Sequence, residues 1–335
     1  MNVAVDAMGG DYAPQAVVEG AVMAVRESKY EVTLVGDERR IKKELAGKSY
    51  PDRLFIHHAG EVVEMSEAPA AAIKKKKDSS IRVAFELVKQ GRAQAVVSAG
   101  HSGATMAAGV IILGRLPGVE RPALCVQMPS AKGQTVFIDV GANVDCRPSH
   151  LLQFAIMAEA FAKGVLHVEN PSVGLLSIGE EDTKGNELVL AAGELLRNSD
   201  LNFIGNVEGR DILMGKADII VCDGFVGNVC LKLAESMAFA MRKLMKQEMK
   251  GDYLSRLGYL LLKSGFNRFK RRIDYAEYGG APLLGINGAG IISHGVSSSK
   301  AMKNAILSAA EYIKNGVNDV LIERLKQYHT RDDKV

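Results

Sequence analysis

The sequence predicts an α/β fold of three layers, with helices on both faces of a mainly parallel sheet. Three observations carry that prediction. Short Val- and Ile-rich runs recur without polar alternation, as strands buried on both faces require. Helical stretches follow most of the runs, so strand and helix alternate along the chain. Where a run stops, a small residue stands beside a polar one, as in Asp6-Ala7-Met8-Gly9-Gly10-Asp11.

The elements follow in order. Val3-Ala4-Val5 leads into a helix from about Pro14 to Glu27, and Val32-Thr33-Leu34-Val35 into a charged helix near Glu38. Leu54-Phe55-Ile56 comes next. Ala95-Val96-Val97 precedes an Ala-rich helix from Gly103 to Leu113, and Val136-Phe137-Ile138 a long helix near Pro148. Val173-Gly174-Leu175-Leu176 precedes a helix from about Asn186 to Asn198, and Ile219-Ile220-Val221 one from about Gly227. Pro117 to Pro129 reads as a crossing or hairpin between lobes. No Pro/Ser linker and no repeat of about 20–50 residues marks a boundary. Residues 1–330 are therefore expected to form a single catalytic unit, or two lobes around a cleft, with a frayed tail at 329–335.

Composition excludes several classes. The chain has 335 residues, 47% hydrophobic and 24% charged, enough to bury a large core and unlike a disordered chain. A net charge of +3 argues against nucleic-acid binding. Cys125, Cys146, Cys222 and Cys230 show no CxxC spacing, and no charged-then-apolar leader precedes the first strand; a cytoplasmic protein with reduced thiols is expected. No apolar run approaches the roughly 20 residues of a membrane span, so membrane contact would be peripheral.

Ligands of open parallel sheets bind beyond the carboxyl ends of the strands. Seven such ends are polar and small: the Asp6 segment, Ser98 to Gly103, Asp139 to Asp145, Ser177 to Gly185, Glu208 to Asp211, Asp223 to Asn228, and Ile286 to Gly290. Glycine admits a ligand close to the backbone, and a helix start offers unpaired N–H groups to anions. One such segment is ordinary in any α/β protein; seven together imply a polar cleft without naming its ligand. Gly9-Gly10-Asp11 lacks GxGxxG spacing, Gly179 to Lys184 lacks a Walker loop's second glycine, and Ser98 and Ser102 lie outside G-x-S-x-G. The histidines and cysteines are scattered. No cofactor and no metal are expected.

The ordered series of motifs resembles the PlsX family. It comprises Val5 to Pro14, Ser98-Ala99-Gly100-His101-Ser102-Gly103-Ala104, Asp139-Val140-Gly141-Ala142-Asn143, Asp223-Gly224-Phe225-Val226-Gly227-Asn228, Gly285-Ile286-Asn287-Gly288 and His294-Gly295. The resemblance implies a fold related to isocitrate/isopropylmalate dehydrogenases and phosphotransacetylases, and a homodimer. It implies conversion of acyl-carrier-protein thioester and inorganic phosphate to acyl phosphate and free carrier. The product would pass to a membrane-bound glycerol-phosphate acyltransferase.

For that reaction, Ser102 and the N–H groups around Gly103 are expected to hold phosphate, with Lys184 neutralising it. Asp6, Gly9, Gly10, Ser98, Asp139, Asn143, Glu208, Asn287 and Gly288 would line the substrate site. Asn143, Asn228 or Asn287 could donate to the thioester oxyanion, and Asp223 or His294 could orient phosphate or handle its proton. Asp6 and Asp139 could instead cap their loops. A rival mechanism forms an acyl-cysteine at Cys222 or Cys230. Rival functions are a coenzyme A-dependent phosphotransacetylase, a metal- and NAD-dependent hydroxyacid dehydrogenase using Asp218 and Asp223, and a carrier-protein scaffold.

One stretch stands apart, a basic amphipathic insertion expected at 250–275. Leu254, Leu257 and Leu261 fall near helical spacing, and Leu260, Leu262 and Phe266 widen the apolar side. Arg256, Lys263, Arg268, Lys270, Arg271 and Arg272 add charge, with acids absent until Asp274. Leu254, Leu257, Leu260, Leu261, Phe266, Arg268 and Lys270 are the expected contacts with an anionic membrane. Dimer packing or a groove for the acidic carrier protein are the alternatives.

Overall fold

The computed structural model describes residues 1–248, 261–265, 268 and 279–332. Among these, eleven strands form one sheet. They are β1 (Asn2–Asp6), β2 (Glu31–Gly36), β3 (Leu54–His58), β4 (Ala95–Ser98), β5 (Ala123–Ser130), β6 (Gly133–Ile138), β7 (Val173–Leu176), β8 (Phe203–Val207), β9 (Ile219–Val221), β10 (Ala281–Leu284) and β11 (Ala289–Ile292). Their order is β3-β2-β1-β4-β11-β10-β5-β6-β9-β7-β8. The non-alternating runs are the buried parallel strands: Val3, Ala4, Val5, Val96, Val97, Ile219 and Ile220 are all fully inaccessible.

Helices cover both faces. One face packs α1 (Gln15–Glu27), α2 (Glu38–Leu45), α6 (Pro148–Leu166), α7 (Glu187–Arg197) and two helices at Ser299–Lys314 and Val317–Asp332. The other packs α3 (Pro69–Lys75), α4 (Ser80–Lys89), α5 (Ser102–Ala108) with a π-helical end at Gly109–Leu113, α8 (Asp211–Met214) and α9 (Gly224–Glu248). Phe154 of α6 and Phe85 of α4 are completely buried on opposite faces, each contributing about 2–3 kcal/mol of apolar burial. Gly20 lets α1 press on the helix Ser299–Lys314, because a Cβ there would lie 2.6 Å from Met302 Cβ.

The direction of the strands departs from a simple parallel sheet. β1, β2, β3, β4 and β11 run together, and β6, β7, β8 and β9 run together. Between them, β10 is antiparallel to β11 and β5, and β5 is antiparallel to β6. Three successive reversals turn the second group against the first, so the carboxyl ends of the two groups face opposite edges of the sheet.

Several elements differ from the sequence reading. Of the crossing or hairpin expected at Pro117–Pro129, the structure has a hairpin, of β5 with β6, whose second strand lies beyond the expected span. α9 starts at Gly224 rather than Gly227, and the last helix continues to Asp332 through most of the expected frayed tail. Ile286 to Gly288 is the turn between β10 and β11, not a strand end. No helix among the described residues is long and apolar enough to cross a membrane.

Candidate active site

The first edge gathers the loops after β1, β4 and β11. Asp6 ends β1 with its carboxylate 3% exposed, and accepts Ser98 Oγ at 2.8 Å and Met8 N at 3.2 Å. Burial pushes its carboxyl up, against hydrogen bonds from the Ser80 and Ser98 hydroxyls and the Met8 and Gly9 N–H groups. Gly9 and Gly100 pack backbone on backbone; a Cβ on Gly9 would lie 2.7 Å from Gly100 N. Gly10 (φ +108°) faces Gly295 O and Ala99. Asp11 N donates to Gly295 O at 2.8 Å, and Ser293 N to Ser98 O at 2.8 Å. Asp6 and the wholly buried Ser98 thus hold the loops together, while Ser102 is exposed where α5 starts and Gly103 abuts Pro69.

The second edge gathers the loops after β6, β7, β8 and β9. Asp139, completely buried, accepts Leu124, Gly141 and Ala142 N–H on Oδ1 and the Asn143 N–H and Nδ2 on Oδ2, at 2.7–3.3 Å. Burial pushes this carboxyl up while the N–H donors pull it down, leaving it above the usual aspartate range. Asn143 Nδ2 also donates to Pro122 O at 2.8 Å. Asp223 Oδ1 accepts Phe225 N at 2.9 Å and Val226 N at 3.0 Å, capping α9. Asn228, exposed, stands over Gly141, whose Cβ position is 3.6 Å from Asn228 Cγ.

Lys184 sits in the loop after β7, next to β9 in the sheet. Its carbonyl accepts Ser177 Oγ at 3.0 Å and Asn206 Nδ2 at 3.3 Å, so the loop is fixed while the side chain is exposed. The Lys184 ammonium and the Asn228 amide have no protein partner among the described residues. Glu208 is paired with Arg210 at 2.8 Å, and Lys216 with Glu180 at 2.9 Å.

The structure therefore divides the expected site. Asn143, Lys184, Asp223, Asn228, Asp139 and Glu208 share the second edge; Asp6, Gly9, Gly10, Ser98, Ser102, Gly103 and His294 belong to the first. A single rim carrying both Ser102 and Lys184 is corrected by the three strand reversals. Asn287 and Gly288 are bound instead into the β10–β11 turn, by Asn287 N to Gly114 O at 2.9 Å and Asn318 Nδ2 to Gly288 O at 2.9 Å.

The rival chemistries fit poorly. Cys222 is buried and Cys230 half-buried; burial and the Asp223 charge push both thiols up, away from the thiolate a nucleophile needs. Asp218 precedes β9 and Asp223 follows it, at opposite ends of the strand, and Asp218 Oδ2 accepts Ser172 N and Oγ. They cannot share one metal ion. No group of three or more His, Cys, Asp or Glu side chains suited to a metal occurs among the described residues.

One helix joins the edges. α9 starts beside Asp139 and Asn143, since Gly224 N donates to Asn143 O at 2.7 Å. About 16 Å further along its axis, Glu235 and Lys232 meet His294 of the first edge. Sequence reasoning missed Glu235 and Lys232, because no local spacing ties a mid-helix carboxylate to a histidine on a distant loop. Of the expected membrane contacts, Leu254, Leu257, Leu260, Phe266 and Lys270 lie outside the described residues. Leu261 is 77% exposed, and Arg268 Nη1 donates to Ser264 Oγ.

Comparison with known proteins is consistent over the whole chain. The model of a family described as fatty acid synthesis protein matches residues 1–320. A phosphate acyltransferase of Geobacter sulfurreducens is 54% identical over 331 residues, covering 98% of this chain and 96% of its own. A phosphate acyltransferase of Geobacter sp. strain M21 is 56% identical over 328 residues, covering 98% of this chain and 93% of its own. Among solved structures, a phosphotransacetylase from Streptococcus pyogenes superposes with a TM-score of 0.63 at 21% identity, covering 94% of both chains. The EutD phosphotransacetylase from Staphylococcus aureus gives 0.60 at 16% identity, covering 93% of this chain and 94% of its own. The likeness to these two establishes the fold.

Proposed function

Because the chain belongs to the fatty acid synthesis protein family, the PlsX phosphate acyltransferases, we propose that it moves a long-chain acyl group from acyl-carrier protein to inorganic phosphate. An acyltransferase activity follows from relatives more than half identical over nearly the full length. The carrier-protein donor, the residue roles and the assembly are our reading of the site.

The observation that carries it is that two exposed side chains follow adjacent strands at the second edge, Lys184 on the loop after β7 and Asn228 in the first turns of α9 after β9, neither bonded to another described residue. Phosphate needs little basic help, because its dianion is already nucleophilic near neutral pH. Its oxygen attacks the thioester carbonyl carbon, the carbonyl electrons move to oxygen, and their return breaks the C–S bond to release the carrier thiolate, which takes up a proton. Lys184 offsets the phosphate charge, and Asn228 Nδ2 donates to the oxyanion. Asp223 caps the helix start that presents Asn228, and Ser177 and Asn206 fix the loop that presents Lys184. Holding both reactants in line can lower the barrier by about 7–11 kcal/mol at best, and one oxyanion donor adds roughly 3–4 kcal/mol.

The phosphate assignment moves from Ser102 to the second edge, where the exposed Lys184 stands. Ser102, Gly9, Gly10 and Gly103 are assigned to the carrier's amide-bearing prosthetic arm, which backbone groups of glycine loops can bind. The exposed apolar side chains of α9 support a homodimer, and Leu261 and Leu262 with Arg268 support peripheral contact with an anionic bilayer, where the acyl phosphate would reach a membrane-bound acyltransferase. A second reading, with acyl-CoA as donor, is favoured only by the phosphotransacetylase fold.

The test is to incubate the protein with phosphate and either long-chain acyl-carrier protein or acyl-CoA and to weigh the product. Acyl phosphate from the carrier substrate is expected, with Lys184→Met lowering kcat/KM by about 100-fold or more. Faster turnover of acyl-CoA would favour the second reading, and no acyl phosphate from either donor would end both.

A further inference from the structure

We propose that Glu235 is a positioning residue: through His294 it locks the glycine loops of the first edge to α9, and so sets the acyl-donor site relative to Asn228. This rests on the function proposed above and extends it to a residue outside the motifs.

The geometry begins with the imidazole. Val296 N donates to His294 Nδ1 at 3.2 Å, which fixes the ring against its own turn. Nε2 faces two groups on α9: Lys232 Nζ at 3.1 Å and Glu235 Oε2 at 3.6 Å. Lys232 Nζ is itself a donor and bonds to Glu235 Oε2 at 2.8 Å. Lys232 Nζ thus lies between Glu235 Oε2 and His294 Nε2, so the carboxylate holds the ammonium against the imidazole and stands 3.6 Å from the ring itself. Glu235 is 20% exposed. Burial pulls its pKa up, but hydrogen bonds from His294 and Lys232 outweigh burial and leave it below the usual glutamate range, so it stays ionised as the acceptor.

The lock reaches the loops in one step. His294 O accepts Ser297 N at 2.9 Å, and the Ser293 and Ser297 hydroxyls bond at 2.7 Å, so the turn moves as a unit. Its Gly295 O holds Asp11 N beside Gly10, and Ser293 N holds Ser98 O. At the other end α9 is fixed by Asp223 and by Gly227, where a Cβ would lie 1.9 Å from Asp139 O. α9 is thus pinned at its start and at its middle, and Glu235 is the pin on the acyl-donor side. A small misplacement of reactants is enough to cost about 100-fold in rate.

The experiment compares wild type with Glu235→Gln and Glu235→Leu. It measures KM for acyl-carrier protein and for phosphate separately, Tm, and the ring-nitrogen NMR signals of His294. The Leu variant is expected to raise the donor KM about tenfold with phosphate KM unchanged, and to move the His294 ring-nitrogen signals. Gln, which keeps an acceptor oxygen, is expected to recover part of both effects, and it carries the test should the Leu variant fold poorly. An unchanged donor KM overturns the proposal, and so does a raised donor KM with unmoved His294 signals. An inactive wild type would instead sink the proposed function, and this role with it.

Discussion

Asp139 shows how one residue can look like a ligand and serve as a frame. A small, polar strand end is what a substrate site requires, and also what a loop cap requires. The structure gives the carboxylate five N–H donors from Leu124 and residues 141–143 and no exposure. Asp6 has the same character at the first edge. Asp139→Asn would present an amide N–H to backbone N–H groups and leave at least two of them unpaired. Since each buried unsatisfied donor costs about 1–3 kcal/mol, urea denaturation should show a loss of roughly 3 kcal/mol or more, with kcat falling as the Asn143 loop shifts. A midpoint within experimental error of wild type would show that the loop is held by something else. This distinction was not legible in the sequence, where Asp6, Asp139 and Asp223 all precede small residues. The donors reaching Asp6 from Ser80 and Ser98, and Asp139 from Leu124, come from distant segments.

At the scale of elements, α9 was legible as a helix but not in its start or its purpose. Asp223 reads as a site residue, which hides its role as N-cap and moves the apparent start to Gly227. Along the same helix Val226 (37%), Val229 (54%), Leu233 (59%), Met237 (52%) and Leu244 (59%) remain exposed, recurring every three to four residues up to Met237 and returning at Leu244. Their stripe runs about 90° round the helix from the mean direction of Cys230, Leu231 and Ala234, which pack against the core. A monomer seldom leaves so long an apolar stripe in water, and a second copy of the same helix, related by a two-fold axis, would cover it. Leu233→Glu should therefore halve the mass seen by light scattering and leave binding to anionic liposomes intact. Leu261→Glu should do the reverse, releasing the protein from liposomes while the mass stays that of a dimer. If Leu233→Glu leaves the mass unchanged, the dimer does not form through α9; if Leu261→Glu leaves liposome binding unchanged, the membrane contact lies elsewhere.

For the whole molecule, the layers were legible because buried parallel strands have a plain signature, whereas the reversal of the second strand group was not. It depends on β10 and β11, which read as Ala-Pro-Leu-Leu and Ala-Gly-Ile-Ile. A proline in one and a glycine in the other blur the strand pattern, and the turn needs Gly285 (φ +89°) and Gly288 (φ +152°), which resemble ligand-binding glycines. The hairpin at this central crossing is held from outside the sheet by the last helix, whose Asn318 donates to Ile286 O at 3.2 Å and Gly288 O at 2.9 Å. That helix is in turn clamped by Arg324, which bonds Glu159 of α6 at 2.7 Å and Asp200 with both terminal nitrogens at 2.8–2.9 Å. Glu159 is 6% exposed, and Lys163 is its other partner at 2.8 Å. Arg324→Leu leaves a nearly buried carboxylate with Lys163 in place of two cations and should cost about 3 kcal/mol. Arg324→Lys should recover little, because an ammonium cannot reproduce the forked contact with Asp200. Adding Glu159→Leu to Arg324→Leu should restore much of the loss, since the penalty lies in a nearly buried carboxylate left with half its partners rather than in the absent pair. If the double variant is as unstable as the single one, the clamp acts by holding the helix in place, and faster amide exchange should then appear at Gly288 and along β11.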